Sequence, residues 1–386
     1  MRQFYTLSGV RLISSEESDK IIDMAEAGDP VACYKYAQIH LAWHLTDNYI
    51  KDARELFEKA LAGGVEDANV ALALMYLNGE IEPYDPAEGH RLLEKSLENK
   101  NEYAAYIHLK NIIFGNNGYK KDLKKADDVL NALLAEGDNP YWYYLKGDVL
   151  FNAGKIEESE QWYAKAAEAG IVRAYGDLAL ARGLDDNNEI RNWNGYVDTL
   201  MEGADKGDVF SLYCLALNSC AEYDQTDPDD SETRDELRDV ILQTLETCSH
   251  SYLNLAFKLL GDIYREGLYG FEVNKIKAWE NYVEGSIIND ASCFEMMYEM
   301  LSCNEIELGK TNKEDAMDLC AINGARLHDK KLLVAAVESY KRGRLTQFAR
   351  EMEMYHLPAY EAIPDDEPLD EEEYGPDDDG RYDAWA

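Results

Sequence analysis

Two histidines one helical turn apart, His40 and His44 in HLAWH, form the first residue pattern that could do chemistry. The spacing lets both imidazoles reach one metal ion. However, Leu41 stands where a zinc protease carries its general-base Glu, and no third ligand is indicated. Both are expected to be ordinary helix residues. The acidic run from Asp224 to Asp235 has the oxygen density of a calcium loop. Counted from Asp224 or Asp227 it lacks the sixth-position Gly that an EF-hand turn requires. It reads as a solvated insertion, and so does DDNNEIRN at 185–192. No Walker loop, GxGxxG, GxSxG or kinase signature occurs. Nothing places Ser, His and Asp side by side. The chain is therefore expected to be no enzyme, with no catalytic residue, cofactor or metal.

Charge narrows the partner. The 386 residues carry 38 Lys and Arg against 76 Asp and Glu, a net charge of −38. Ordinary nucleic-acid binding needs cations that displace counterions from phosphate, and anionic lipid needs the same. Neither fits. A basic protein partner, mimicry of nucleic acid, or plain solubility of an extended acidic surface all do. Apolar residues make up 46%, enough for a sizeable core. The seven Cys residues form no CxxC pair, and most lie in apolar, helix-like runs. They read as buried free thiols in a reducing compartment. The N-terminal residues have no signal-peptide pattern and no stretch reaches 18 apolar residues, so a cytoplasmic protein without a membrane span is expected.

The elements that would carry any site follow from a repeat. With Gly170 as anchor, equivalent positions fall at Gly28, Gly64, Lys100, Gly137, Gly207, Ser249, Asn289 and His328. The intervals are 36, 36, 37, 33, 37, 42, 40 and 39 residues. Eight and seven residues before the anchor lie pairs such as Leu56-Phe57, Leu92-Leu93 and Trp162-Tyr163. Four residues after it comes a small residue: Ala32, Ala68, Ala104, Ala174, Ser211 or Cys293. Nine after, Ala recurs at Ala37, Ala73, Ala179 and Ala216. Offsets of three and four put these residues on single helix faces. Each unit is thus a first helix, a Gly-centred turn, a second helix and a second turn. Gly at the first turn suits a left-handed helix cap. One such hairpin cannot bury its apolar face alone, whereas stacked hairpins can.

The units ARELFEKALAGGVEDANVALALMYLNG (53–79) and SEQWYAKAAEAGIVRAYGDLALARG (159–183) resemble Sel-one-like repeats, a tetratricopeptide-related family. LGDIYREG at 260–267 matches that family's second-helix ending. The resemblance implies an all-α fold, a right-handed α-solenoid of about nine helix-turn-helix repeats. It further implies a non-catalytic adaptor that binds other proteins, without naming the partner.

Three segments are expected: an N-terminal arm or cap at 1–16, the repeats at 17–350 with a polar insertion at 220–236, and an acidic tail at 351–386. The stretch 361–386 holds twelve acids, one Arg and three prolines, which predicts disorder. Tyr374, Tyr382 and Trp385 are spaced aromatic anchors within it. Residues 326–350 are the most basic run, with Lys341, Arg342, Arg344 and Arg350 as candidate contacts. The acidic tail either folds back on this patch or simply solubilises a capping repeat. Lys59, Lys95 and Lys165 share one first-helix register and are exposed positions first, ligand contacts second. Two functions fit. One is a scaffold presenting an acidic solenoid surface to a protein. The other is an inhibitor or immunity-type protein, of phage or bacterial kind, that covers an enzyme's basic surface.

Overall fold

The computed structural model describes residues 2–6, 9–13, 15–43, 48–81, 85–187, 189, 191–251, 253–288, 290–309, 311–327 and 329–345. The chain divides into two compact units, Met1–Ala174 and Tyr175–Ala386. The first opens with a two-stranded antiparallel ribbon, β1 (Arg2–Thr6) and β2 (Gly9–Ile13), in which Arg2 faces Ile13 and Thr6 faces Gly9. β1 runs beside α2. The helices that follow are α1 (Ser15–Glu26), α2 (Pro30–Trp43), α3 (Tyr49–Ala62), α4 (Asp67–Leu77), α5 (Pro86–Glu98), α6 (Glu102–Phe114), α7 (Leu123–Glu136), α8 (Pro140–Asn152) and α9 (Ile156–Glu168). The second unit carries α10 (Ala174–Gly183), α11 (Trp193–Asp205), α12 (Val209–Gln225), α13 (Ser231–His250), α14 (Asn254–Glu266), α15 (Lys275–Ile287), α16 (Ala291–Ser302), α17 (Lys313–Arg326) and α18 (Lys330–Lys341). Apart from the ribbon, the described body is all-helical, and its eighteen α-helices fall into nine consecutive pairs.

One backbone hydrogen bond closes eight of these pairs. The residue after the turn donates its N–H to the carbonyl five positions earlier: Asp29 to Met24, Val65 to Ala60, Asn101 to Ser96, Ile171 to Ala166, Asp208 to Gly203, Leu253 to Cys248, Asp290 to Gly285 and Asp329 to Gly324, at 2.8–3.2 Å. This closure requires a left-handed residue between helices. Gly170 supplies it at φ +96°, and Lys100 adopts it at φ +57° despite its side chain. Two anchors are displaced. Gly137 is extended at φ 178°, and α8 starts only after Asn139 caps it by accepting from the Tyr141 N–H at 3.0 Å. Ser249 lies inside the twenty-residue α13, so the seventh turn falls after His250, and Leu253 makes the closing bond. Anchors Asn289 and His328 lie outside the described residues.

Consecutive pairs meet at a repeated seam. Seven residues before each turn, from the second pair on, stand Phe57, Leu93, Leu130, Tyr163, Leu200, Leu245, Tyr282 and Ala321, all at most 1% exposed. Each packs against the preceding second helix, where the counterpart is Ala37, Ala73, Leu109, Gly147, Ala179, Ala216, Gly261 or Tyr298. Size is traded across the seam. A Cβ on Gly147 would lie 2.5 Å from the Tyr163 ring, and one on Gly261 would lie 2.2 Å from Tyr282. Where the second helix carries Tyr298, the first helix carries only Ala321. The two plugging tyrosines donate their hydroxyls to the Asp that follows each Gly, Tyr163 to Asp148 at 2.9 Å and Tyr282 to Asp262 at 2.7 Å. The buried hydroxyl is thereby satisfied, as close packing requires.

The polar segment 220–236 is not an irregular insertion. It is the end of α12, a bend at 226–230, and the start of α13. Its acids and Arg are compatible with helix, and Pro228 is confined to the bend. Asp230 caps α13 by accepting from the Thr233 N–H at 3.2 Å. Arg234 pins the bend, with its guanidinium 4.0 Å from the Tyr223 ring centroid and its Nη1 donating to the carbonyls of Tyr223 and Thr226.

The size trade is testable at the α14–α15 seam. Gly261→Ala is expected to destabilise the protein by roughly 2 kcal/mol through overpacking. Combining it with Tyr282→Leu, which recreates the Ala–Leu pairing of other seams, is expected to recover part of that loss. Thermal melts of the four-member double-mutant cycle read the coupling, and additive effects would refute the direct contact.

Candidate protein-interaction surface

The motifs that suggested chemistry are structural where they are described. His40 is buried, with its ring 4.6 Å from that of Tyr36, and burial lowers its pKa so that it stays neutral. His44 lies outside the described residues. Asp227 accepts from the Asp229 N–H at 3.0 Å, closing a turn. Asp185 accepts from the N–H groups of Glu189 and Asn187 at 3.0 and 2.8 Å, bonds that hold its carboxyl below the usual range. Among the described residues, no three His, Cys, Asp or Glu side chains converge as a metal site would require.

Six of the seven free thiols are buried, and Cys303 is exposed. Burial pushes Cys220 up to about 11, Cys248 and Cys320 up to about 12, and Cys293 well above its ordinary value. These four are protonated and sequestered at neutral pH, which removes their nucleophilicity.

The sequence-predicted lysines separate. Lys59 and Lys95 stand exposed on α3 and α5. Lys165, also exposed on α9, differs in lying over an aromatic corner, 3.8 Å from the Tyr143 centroid and 5.8 Å from that of Trp162. Beneath this corner is Lys146, which the sequence reading missed. Its side chain is only 11% exposed, it pairs with Asp127, and it donates to Asn131 Oδ1 at 2.9 Å. Helices α7, α8 and α9 thus meet around a buried cation. The available signal was register. Lys146 precedes the small seam residue Gly147, at a position held elsewhere by Tyr36, Leu72, Leu178, Leu215 and Leu260. A cation in that apolar row needs a buried carboxylate.

The basic run is largely neutralised from within. Arg344 donates to Asp318 at 2.6 Å, to Asp315 at 2.6 Å and to Glu314 at 3.2 Å, tying the segment after α18 to α17. Arg342 pairs with Glu338 at 3.3 Å. Lys341 ends α18. Arg350, Tyr374, Tyr382 and Trp385 lie outside the described residues, as does the acidic tail. A second cation centre joins α14 to the segment after α16. Arg265 donates to both oxygens of Glu305, at 2.7 and 3.1 Å, and to Glu299 at 3.0 Å. Lys275 also reaches Glu305, at 2.7 Å. The Arg265 hydrogen bonds, with help from Lys275, hold the Glu305 carboxyl down at about 2.

Most of the exposed large apolar side chains among the described residues lie on first helices. Among the described residues, exposed large apolar side chains concentrate in the second unit, including Trp193 (49%) and Met201 (56%) on α11, Ile276 (64%) on α15 and Leu319 (61%) on α17.

Two solution measurements follow. A thiol reagent applied to native protein is expected to modify Cys303 first, and Cys303→Ser to slow the first modification at least about tenfold. Because Glu305 has a depressed folded pKa, its contribution is present above the ordinary carboxylate range and is lost as pH falls from about 4.5 toward about 2. Glu305→Gln is therefore expected to cost about 2 kcal/mol at neutral pH, and the gap between variant and parent should close across that acidic window. A pH-independent gap would refute the ion-pair origin.

No family model and no curated protein matches the chain. Solved structures do. The crystal structure of c5321, a protective antigen of uropathogenic Escherichia coli displaying an SLR fold, is 20% identical; the match covers 88% of this chain and 79% of that one, with a TM-score of 0.37. A Sel1 repeat protein from Oxalobacter formigenes is 17% identical over 83% of this chain and 89% of that one, with a TM-score of 0.39. Among the described residues, no helix is long and apolar enough to cross a membrane. Among the described residues, nine consecutive helix pairs, eight of them closed by the same turn, make the chain a helical-repeat protein.

Proposed function

We propose that this protein is a non-catalytic, cytoplasmic scaffold or adaptor that binds a protein of basic surface through the first-helix faces of its second unit. The observation that carries this reading is the pairing of exposed Trp193 and Met201 on α11 with a chain charge of −38. Large amphipathic side chains anchor interfaces, and like charge around them steers an oppositely charged partner. The residues most typical of the repeat are committed to its turns and seams, which leaves recognition to these other exposed positions. The reading involves no cofactor, no direct nucleic-acid contact and no membrane. The same charge supports a second reading, an inhibitor or immunity-type protein that covers the basic active site of one enzyme.

Affinity capture with the full chain, followed by mass spectrometry, tests both readings. A scaffold is expected to retain several partners of moderate affinity. An inhibitor is expected to retain one nuclease or toxin in a tight, one-to-one, salt-sensitive complex. In either case Trp193→Ala/Met201→Ser should weaken capture about tenfold without lowering Tm. Capture that is unchanged by this variant overturns the assignment of the surface.

A further inference from the structure

The first unit has a sheltered face whose polar groups its turns and seams leave open. No residue of α4 or α8 is exposed, whereas α3 exposes Glu55, Glu58 and Lys59. Second helices are therefore the sheltered layer of this unit. Five residues beyond the N–H that closes each turn they carry Tyr34 on α2, Val70 on α4 and Tyr106 on α6, and two residues beyond it Asp67 on α4 and Tyr103 on α6. A step of three keeps these positions on one helix face. Val70 is fully buried, and Tyr34 and Tyr103 stand half-buried against its core cluster. Among the described residues, the hydroxyls of Tyr34, Tyr103 and Tyr106 make no hydrogen bond, unlike those of Tyr163 and Tyr282 in the seams. None of the three is closed off from water. Burial raises their pKa, that of Tyr103 to about 12, so all three stay protonated and able to donate at neutral pH.

The charge beside this row is negative. Glu66, Asp67 and Glu102 meet no cation among the described residues. Each instead accepts from a side-chain amide of the following turn, from Asn99 at 3.4 Å, Asn101 at 2.8 Å and Asn139 at 3.3 Å respectively. Asp67 is close enough to Tyr34 and Tyr103 to add to the effect of burial on both hydroxyls, whereas Tyr106 has Arg173 as well as Asp148 near it. The open negative charge thus lies at the end formed by Tyr34, Asp67 and Tyr103. Rings beside a carboxylate match a guanidinium, which is planar, pairs with carboxylate oxygens and stacks on aromatic faces better than an ammonium does. Hydroxyl donors along a row match the carbonyls of an extended chain. We propose that this row is a second binding surface, which takes an extended, arginine-bearing segment of a partner protein. One guanidinium sits on Asp67 beside the Tyr34 and Tyr103 rings, and main-chain carbonyls accept from the tyrosine hydroxyls. The proposal rests on the functional reading only for the partner's basic character, and it involves neither Trp193 nor Met201.

Fluorescence anisotropy with the full-length chain and a short labelled peptide of alternating Arg and Ser tests this at physiological salt. Asp67→Asn is expected to weaken the peptide at least about fivefold, whereas Glu284→Gln, the same charge change on an exposed position of α15, is expected to alter it less than about twofold. Equal losses from the two variants reduce the binding to bulk charge and overturn the site, as does a parent chain that does not bind the peptide. Tyr34→Phe/Tyr103→Phe keeps both rings and removes only the hydroxyls, so it guards against a fold defect in Asp67→Asn. It is expected to cost several-fold in affinity at an unchanged Tm, and unchanged affinity overturns the role of the hydroxyls. A Lys–Ser peptide is expected to bind several-fold more weakly than the Arg–Ser one, and equal affinity overturns the assignment to arginine. Trp193→Ala/Met201→Ser is expected to leave peptide binding intact even if it abolishes capture of the partner, which separates this surface from the one in the second unit. Loss of the peptide in that variant overturns the proposal.

Discussion

The whole array depends on a size constraint at the seam between consecutive hairpins. A side chain seven residues before the turn must enter the face of the preceding second helix, and the residue it meets must leave the corresponding space. Tyr282 against Gly261 and Ala321 against Tyr298 are the two extremes of the same rule. Interiors pack at crystal density, so the sum of the two volumes is constrained more tightly than either residue alone. This is why the small residues of the repeat change place from seam to seam while burial of the plug does not.

Several polar side chains enter these seams together with their partners. The hydroxyls of Tyr163 and Tyr282 find Asp148 and Asp262, and Lys146 finds Asp127 and Asn131. Arg265 sits in a cage of Glu299 and Glu305. A buried charge without such a partner would be costly, so each polar seam ties together elements that an apolar seam would merely pack. The charge of the chain is therefore not all available to a partner. Arg344 and Arg342 illustrate this: two cations of the most basic stretch of sequence pair with carboxylates of the same chain.

The turn positions were legible because they follow local rules. A left-handed residue between two helices, and small residues at fixed offsets from it, mark Gly28, Gly64, Lys100, Gly170 and Gly207 without knowledge of neighbours. The reading slipped where chain length and local pattern disagreed. Ser249 matched an interval but lies within a helix lengthened to twenty residues, and the extended Gly137 precedes a cap at Asn139. The segment 220–236 looked irregular because its residues are polar, yet polar residues form helix readily when one face meets Arg234 and Tyr223. Lys146 was invisible for a different reason, since its meaning lies in Asp127, nineteen residues away on another helix.

The sequence by itself determined the class of fold, the approximate number of hairpins and several of the places where the chain turns, because periodicity and backbone conformation are properties of short stretches. Only the tertiary structure decided which plug meets which gap, which charges are spent on one another, and which apolar side chains are left facing water. Those outcomes depend on residues brought together from different helices, and no local pattern encodes their distance.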